Sequence, residues 1–233
     1  MVLLSHGVFS FGADARESYE RMIRLVSMAE DYLAAKKAWS LPQPVQPPAS
    51  LDRNAIAELR RAASDSAGFP LVARINGTAK FRMFAARADV AEISQRGPAT
   101  PDHVIRTKPL PMLGRDVAMF GKRYREYFER HAAHAKEKKT ILDVAPRMAL
   151  DPEFGFAAFG RTAKDTAIIE ELYDHTIDVI LRAEALGGWQ AVAEKHVFDI
   201  EYWDLEQAKL KKAGAPPAFA GQIALVTGAA SGI

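Results

Sequence analysis

Apolar positions along the chain fall into short runs and helical stripes, punctuated by glycine and proline. Val2, Leu3 and Leu4 form an apolar run that leads into Gly7 and Gly12, the pattern of a buried strand followed by a glycine-bracketed turn. Asp14 is placed to cap a helix, with Glu17 three residues on to complete a capping box. Met22, Ile23, Val26, Ala29 and Leu33 recur at helical spacing, so an amphipathic helix is predicted over 15–38. Four prolines within 41–48 end that helix and make a stiff linker, the clearest internal boundary.

Downstream, a stretch rich in Ala, Leu and Arg predicts a helix over 51–66, broken by Gly68 and Pro70. Strands over 71–75 and 81–85 are expected to form a hairpin across Asn76-Gly77, a favoured turn pair. Asp89 caps a short helix ending at Gly97-Pro98. Residues 100–108 read as a turn leading into a short strand, and Pro109 and Pro111 mark irregular chain. The pattern then predicts a long helix over 116–138, strands over 140–145 and 147–150, and the longest helix over 161–186, stopped by Gly187-Gly188. Helices over 189–195 and 201–212 follow. Alternation of strands and helices throughout gives an α/β architecture.

The opening unit recurs. Phe154-Gly155-Phe156-Ala157-Ala158-Phe159-Gly160, then Lys164, Asp165 and Thr166, repeat its order at an offset of 148 residues. Gly7 pairs with Gly155, Phe11 with Phe159 and Gly12 with Gly160, while Arg16, Glu17 and Ser18 pair with Lys164, Asp165 and Thr166. His6 becomes Phe154, so a metal-binding role open to the first copy is closed to the second. A strand that turns into a helix through glycines is a common unit, and chance similarity is the alternative.

Composition narrows the function classes. The 233 residues can bury one large core or two small ones, and 48% hydrophobic with 26% charged residues describe an ordinary globular protein. A net charge of +2, from 31 basic and 29 acidic residues, gives no strong pull toward nucleic acid or a membrane surface. The absence of cysteine excludes disulfides and thiolate metal sites, leaving His, Asp and Glu as ligands. No apolar run approaches the roughly 20 residues of a membrane helix, and 1–4 lack the basic flank and length of a signal peptide, so a cytoplasmic protein is expected. Both ends read as cuts in a longer polypeptide: the first residues already form a core strand, and 223–233 open a new unit that stops inside its first loop.

Residues Gln222-Ile223-Ala224-Leu225-Val226-Thr227-Gly228-Ala229-Ala230-Ser231-Gly232-Ile233 are an apolar strand followed by a Gly-rich turn. Gly228 permits a tight turn, and Gly232 a close approach of dinucleotide phosphates to a following helix N-terminus. The string resembles the opening of the short-chain dehydrogenase/reductase family, Thr-Gly-x-x-x-Gly-Ile-Gly. The third glycine and the family's catalytic Ser, Tyr and Lys would lie past residue 233. The resemblance implies the first strand of a Rossmann domain over 222–233. Thr227, Gly228, Ser231, Gly232 and Ile233 would contact NAD or NADP.

Leu3-Leu4-Ser5-His6-Gly7-Val8-Phe9-Ser10-Phe11-Gly12 resembles the late motif of the class II aldolase/adducin family, in which a histidine before glycine is the third zinc-binding imidazole. The resemblance makes His6 that ligand. The family's His-x-His pair and the aldolases' catalytic Glu do not precede Met1, and one imidazole alone cannot hold zinc, since such sites take three protein ligands. In the intact protein zinc would act as a Lewis acid on a ketose phosphate. An aldolase-like piece, a long middle and a dehydrogenase start together look like the bifunctional rhamnulose-1-phosphate aldolase/alcohol dehydrogenase fusions. Segments 96–108 and 198–209 resemble them too.

The interior candidates gather at 100–108, where Asp102, His103, Arg106 and Lys108 combine a carboxylate, an imidazole and two cations. They read as an anion or sugar-phosphate contact, as a degenerate counterpart of the zinc histidine pair, or as an ordinary polar strand edge. His131 and His134 sit three apart on a helix, a spacing that can chelate metal, but Lys136, Lys138 and Lys139 beside them favour a solvated face. Trp189, Tyr202 and Trp203 read as packing aromatics. The mixed signs over 122–139 read as solvated surface and not as a nucleic-acid footprint.

The resemblance implies three-layer α/β/α aldolase-like units in a truncated chain. Residues 1–40 are the end of a class II aldolase/adducin-like domain, 41–50 a linker, 51–213 a second, metal-free aldolase-like region, 214–221 a linker and 222–233 the dehydrogenase start. It implies zinc-dependent cleavage of a deoxyketose 1-phosphate, with NAD(P)-linked turnover of the aldehyde. Partners are a sugar phosphate and an aldehyde, with no nucleic acid or membrane, in a homo-oligomer. The rival reading is a non-catalytic scaffold or oligomerisation module attached to a dehydrogenase.

Overall fold

A computed structural model describes residues 1–3, 7–41, 51–211 and 217–230. Its centre is a mixed four-stranded sheet in the order β3-β6-β5-β4, formed by β3 (Val72–Asn76), β4 (Met112–Leu113), β5 (Met148–Asp151) and β6 (Gly155–Gly160). β6 runs antiparallel to both β3 and β5, and β4 is parallel to β5. Side chains alternate across the sheet with the period of two that a strand imposes. Met148, Leu150, Phe156 and Ala158 enter one core with Phe81 and Phe84 of α3 (Ala79–Ala85) and Ile169, Tyr173, Ile177 and Ile180 of α7 (Ala163–Ala185). Ala149, Ala157 and Phe159 enter the other, with Leu59, Ala63 and Ala67 of α2 (Arg53–Ala67) and Val117 of α6 (Val117–Ala132). This is a three-layer α/β/α arrangement: the alternation of elements gives its α/β class, and the layering agrees with what the resemblance implies.

A third cluster is aromatic. Tyr124 and Tyr127 of α6 meet Phe198 of α8 (Glu194–Glu201) and Tyr202, and Phe198 stacks on Tyr202 with ring centroids 4.6 Å apart. The remaining helices are α1 (Ala15–Ala35), α4 (Val90–Ile93), α5 (Val104–Thr107) and α9 (Asp204–Lys211). No helix among the described residues is long and apolar enough to cross a membrane.

Several expectations are corrected. Residues 81–85 are helical, not the second strand of a hairpin. Phe81 and Phe84, three apart, bury on one helix face, and the Asn76 side chain accepts from Thr78 N at 3.0 Å to turn β3 into α3. β3 pairs instead with β6, far along the chain. Residues 100–108 form a 3-10 turn (Pro101–His103) and α5, with no strand, because the Pro101 start and the bond from Lys108 N to Val104 O favour a helical path. Residues 140–145 carry no strand: Asp143 folds its side chain onto Ala145 N and Arg147. Residues 189–193 are non-helical, with Trp189 N bonded to Glu184, and helix resumes at Glu194. Residues 222–226 carry no strand among the described residues, and Leu225 and Val226 are exposed there. The proline-rich linker at 42–50 lies outside the described residues.

The opening strand is also paired differently from a buried core strand. β1 (Val2–Leu3) and β2 (Gly7–Val8) make an exposed two-stranded ribbon, and α1 buries none of its residues. Two-residue strands with no second layer cannot bury either face. The N-cap half of the capping prediction holds, since Asp14 accepts from Glu17 N at 2.8 Å, but the box is not closed as expected: Glu17 accepts from Ala13 N at 2.6 Å, one residue ahead of the cap.

The two glycine units share a local geometry. A Cβ on Gly160 would lie 2.8 Å from Asp165 Cβ and 3.1 Å from Thr166 N, and one on Gly12 would lie 2.7 Å from Glu17 Cβ and 2.8 Å from Ser18 N. In each copy the first helical turn folds directly over the glycine, 148 residues apart. Gly160→Ala is therefore expected to cost about 1–3 kcal/mol through overpacking against α7, read as a fall in the thermal midpoint.

Candidate functional site

Helix α6 lines an open groove among the described residues. Asp116 caps it by accepting from Met119 N at 2.8 Å, and Phe120, Tyr124 and Tyr127 then recur at helical spacing toward the protein. Between this helix and the loops at 95–98 and 109–113 runs an open groove of about 630 Å³. Leu110, Met112, Phe120, Tyr124 and Tyr127 give it an apolar floor. Arg96, Arg123 and Arg130 stand on its lining with Asp116, Glu126 and Glu194. Two of the cations are already engaged: Arg96 bonds Glu184 Oε1 and Trp189 O, both at 2.7 Å, and Arg130 bonds Glu194 Oε1 at 2.9 Å.

Beneath the groove lies a buried polar cluster. Lys108 adopts a left-handed φ of 58° and is 4% exposed, an unusual conformation for a side chain of this size. Its Nζ donates to Asp143 O at 2.5 Å and sits 3.5 Å from the centroid of the Tyr124 ring. Burial, and then the Arg147 charge, push its pKa down to about 8, against the pull of Asp143 and Glu201. Tyr124 donates its hydroxyl to Glu201 Oε1 at 2.8 Å, and that hydroxyl lies 2.8 Å from the Tyr202 hydroxyl. Glu201 is fully buried, and burial pushes its pKa up to about 7 despite Lys108 and the tyrosine hydroxyls. Burial holds the hydroxyls of Tyr124 and Tyr127 far above the ordinary tyrosine value. The Tyr127 hydroxyl also acts on the Glu201 carboxyl and lowers its pKa, although neither it nor Glu201 Oε2 reaches full hydrogen-bond geometry with a partner among the described residues.

The predicted residues 103, 106 and 108 belong to three different environments. His103 lines a cavity of about 20 Å³, room for one water, with Thr100, Thr107, Tyr173 and Thr176. Burial lowers its pKa, Asp102 opposes and His175 adds to the lowering. Arg106 is half exposed and lies 3.8 Å from Asp165 at the start of α7. Only Lys108 enters the buried cluster. Thr227 and Gly228 lie in the exposed tail, Gly228 with a φ of 69°. His6, Ser231, Gly232 and Ile233 lie outside the described residues.

Zinc has no fitting set here. Among the described residues no three His, Asp or Glu side chains converge on a common point, and His131 Nε2 is bonded to Glu194 Oε1 at 2.7 Å. Sequence reasoning missed Glu201 and Tyr124, and took Tyr202 only as packing. The available signal was weak: Tyr124 and Tyr127 sit three apart on one face of a helix otherwise dense in charge.

Residues 50–210, more than half of the chain, match the family described as aldolase class II, second domain, and the chain belongs to it. A Bacillus subtilis (strain 168) protein described as "Uncharacterized oxidoreductase YuxG" is 25% identical over 260 aligned residues, covering 100% of this chain and 37% of the relative. The chain thus spans little more than a third of that protein's length. No solved structure matches it.

Proposed function

We propose that this chain is part of a bifunctional sugar-catabolic enzyme that joins a class II aldolase to a short-chain dehydrogenase. The carrying observation is that residues 50–210 match the aldolase class II second domain while the whole chain is similar to part of a protein described as an oxidoreductase. In this reading residues 1–40 close an aldolase/adducin-like domain, 51–213 form a second aldolase-like region, and 222–233 open the Rossmann domain. His6 would hold zinc, which supplies Lewis-acid chemistry when bound. Thr227, Gly228, Ser231, Gly232 and Ile233 would approach NAD or NADP. The aldol step would cleave a deoxyketose 1-phosphate of the rhamnulose 1-phosphate kind, and the dehydrogenase would act on the aldehyde released.

Phe154 favours the scaffold reading for the second copy alone. It occupies the position equivalent to His6, is buried, and offers no ligand atom. Residues 51–213 then support the assembly, as a cytoplasmic homo-oligomer, while catalysis belongs to the flanking domains.

The test is a coupled assay on the longer polypeptide that contains this chain. Rhamnulose 1-phosphate should yield dihydroxyacetone phosphate, with a nicotinamide absorbance change tied to the aldehyde. Residues 1–233 in isolation should catalyse neither reaction. Turnover by the isolated chain, or failure of the longer polypeptide to cleave any ketose 1-phosphate, would overturn the proposal.

A further inference from the structure

Tyr173 of α7 carries a donor into the interior and gives it to no protein group. The residue is 4% exposed, and its hydroxyl makes no hydrogen bond among the described residues. Its ring stacks on Phe156 with centroids 5.2 Å apart and meets Phe84 edge-on at 6.3 Å, so the hydroxyl cannot swing away to another acceptor. Burial alone holds its pKa above the ordinary tyrosine value. A buried donor without an acceptor is costly, and native proteins satisfy nearly all such groups with protein or ordered water.

The small cavity that Tyr173 lines supplies the complementary groups. Its 20 Å³ or so is room for one water molecule. Thr107 and Thr176 line it too, and both already donate their hydroxyl protons to backbone carbonyls. Thr107 Oγ1 lies 2.9 Å from Lys108 O and 3.1 Å from His103 O, and Thr176 Oγ1 lies 2.8 Å from Leu172 O. Each oxygen keeps lone pairs and can only accept from the cavity, while Tyr173 does not reach either of them. A molecule that accepts one proton and donates two joins all three. Among the described residues the lining has no carboxylate to hold a cation, and its imidazole, His103, has its pKa lowered by burial, so an ion is not favoured.

We propose that one ordered water occupies this cavity, accepting from the Tyr173 hydroxyl and donating to the oxygens of Thr107 and Thr176. Its position gives it a task at the groove. Gly97, Pro98, Pro109 and Pro111 line both the cavity and the open groove beside α6, and so form the wall between them. The three prolines have no N–H, which leaves that wall few backbone bonds of its own. Thr107 ends α5, next to the wall, while Tyr173 and Thr176 belong to the long core helix. The water therefore braces the groove wall against α7. This role is independent of zinc or nicotinamide chemistry.

The test is a crystal structure of the 233-residue chain with its ordered water, joined to magnetic relaxation dispersion of the water signal for wild type and Tyr173→Phe. The crystal should show one water about 2.5–3.0 Å from the Tyr173 hydroxyl. In solution the wild type should hold one more long-lived water than the variant. The amides of His103 and Lys108, bonded to Thr100 O and Val104 O beside the wall, should exchange about fivefold faster or more in the variant, with β6 unchanged. A dry cavity, or a Tyr173 hydroxyl bonded to a protein group, would overturn the proposal. Equal counts of long-lived water, or exchange at His103 and Lys108 that does not change or changes no more than that of β6, would also overturn it.

Discussion

Replacing Phe156 by alanine should destabilise the fold by roughly 3–5 kcal/mol, the range for truncating a fully buried aromatic. Phe156 lies at the middle of the sheet, on β6, with Phe81 stacked at 5.0 Å and Tyr173 stacked at 5.2 Å with its ring nearly parallel. All three rings are buried, and the flanking ones belong to α3 and α7, so neither helix can collapse into the space without leaving the sheet. Phe156→Leu retains much of the volume and should cost considerably less. Chemical denaturation reads both. A loss below about 1 kcal/mol for the alanine variant would mean that this core is not packed as described.

The second large effect is a dependence of stability on pH that Glu201 and Lys108 impose. Glu201 has its folded pKa raised to about 7 from an ordinary 4.5, so the folded state holds a proton that the unfolded chain has released between these values. Its contribution to stability is greatest below pH 4.5 and falls as pH rises to about 7, by an upper bound of about 3 kcal/mol. Lys108 has its folded pKa lowered to about 8 from 10.5, so the unfolded chain binds the extra proton in that window and stability rises with pH through it. Glu201→Gln should flatten the lower slope and Lys108→Met the upper one, each relative to wild type. Profiles parallel to wild type through both windows would contradict the burial assigned to the pair.

Local chemistry was legible and long-range pairing was not. The cap at Asp14 depends on a side chain three residues away, and the helices 15–35 and 163–185 lie close to the bounds expected from pattern and glycine stops. Residues 81–85 were misread because two phenylalanines in a short apolar run fit a strand as well as a helix, and only the approach of β6 to β3 decides between them. Strand 147–150 was found, but its neighbour β6 was taken as a turn unit, since glycines at both ends hide a six-residue strand buried on both faces. The polar cluster was illegible for a different reason. Tyr124 and Glu201 are separated by 77 residues, and nothing in either segment signals that the other supplies its hydrogen bond. Of residues 103, 106 and 108, grouped by nearness in sequence, a helical path turns successive side chains to different surroundings.

The proposed aldolase role depends most directly on the metal. Zinc content of the longer polypeptide, wild type against His6→Ala, measured together with ketose 1-phosphate cleavage, tests it in one experiment. The account predicts about one zinc per wild-type aldolase site, with zinc and cleavage lost together in the variant. A wild-type protein that binds no zinc, or a variant that keeps both zinc and cleavage, would contradict it.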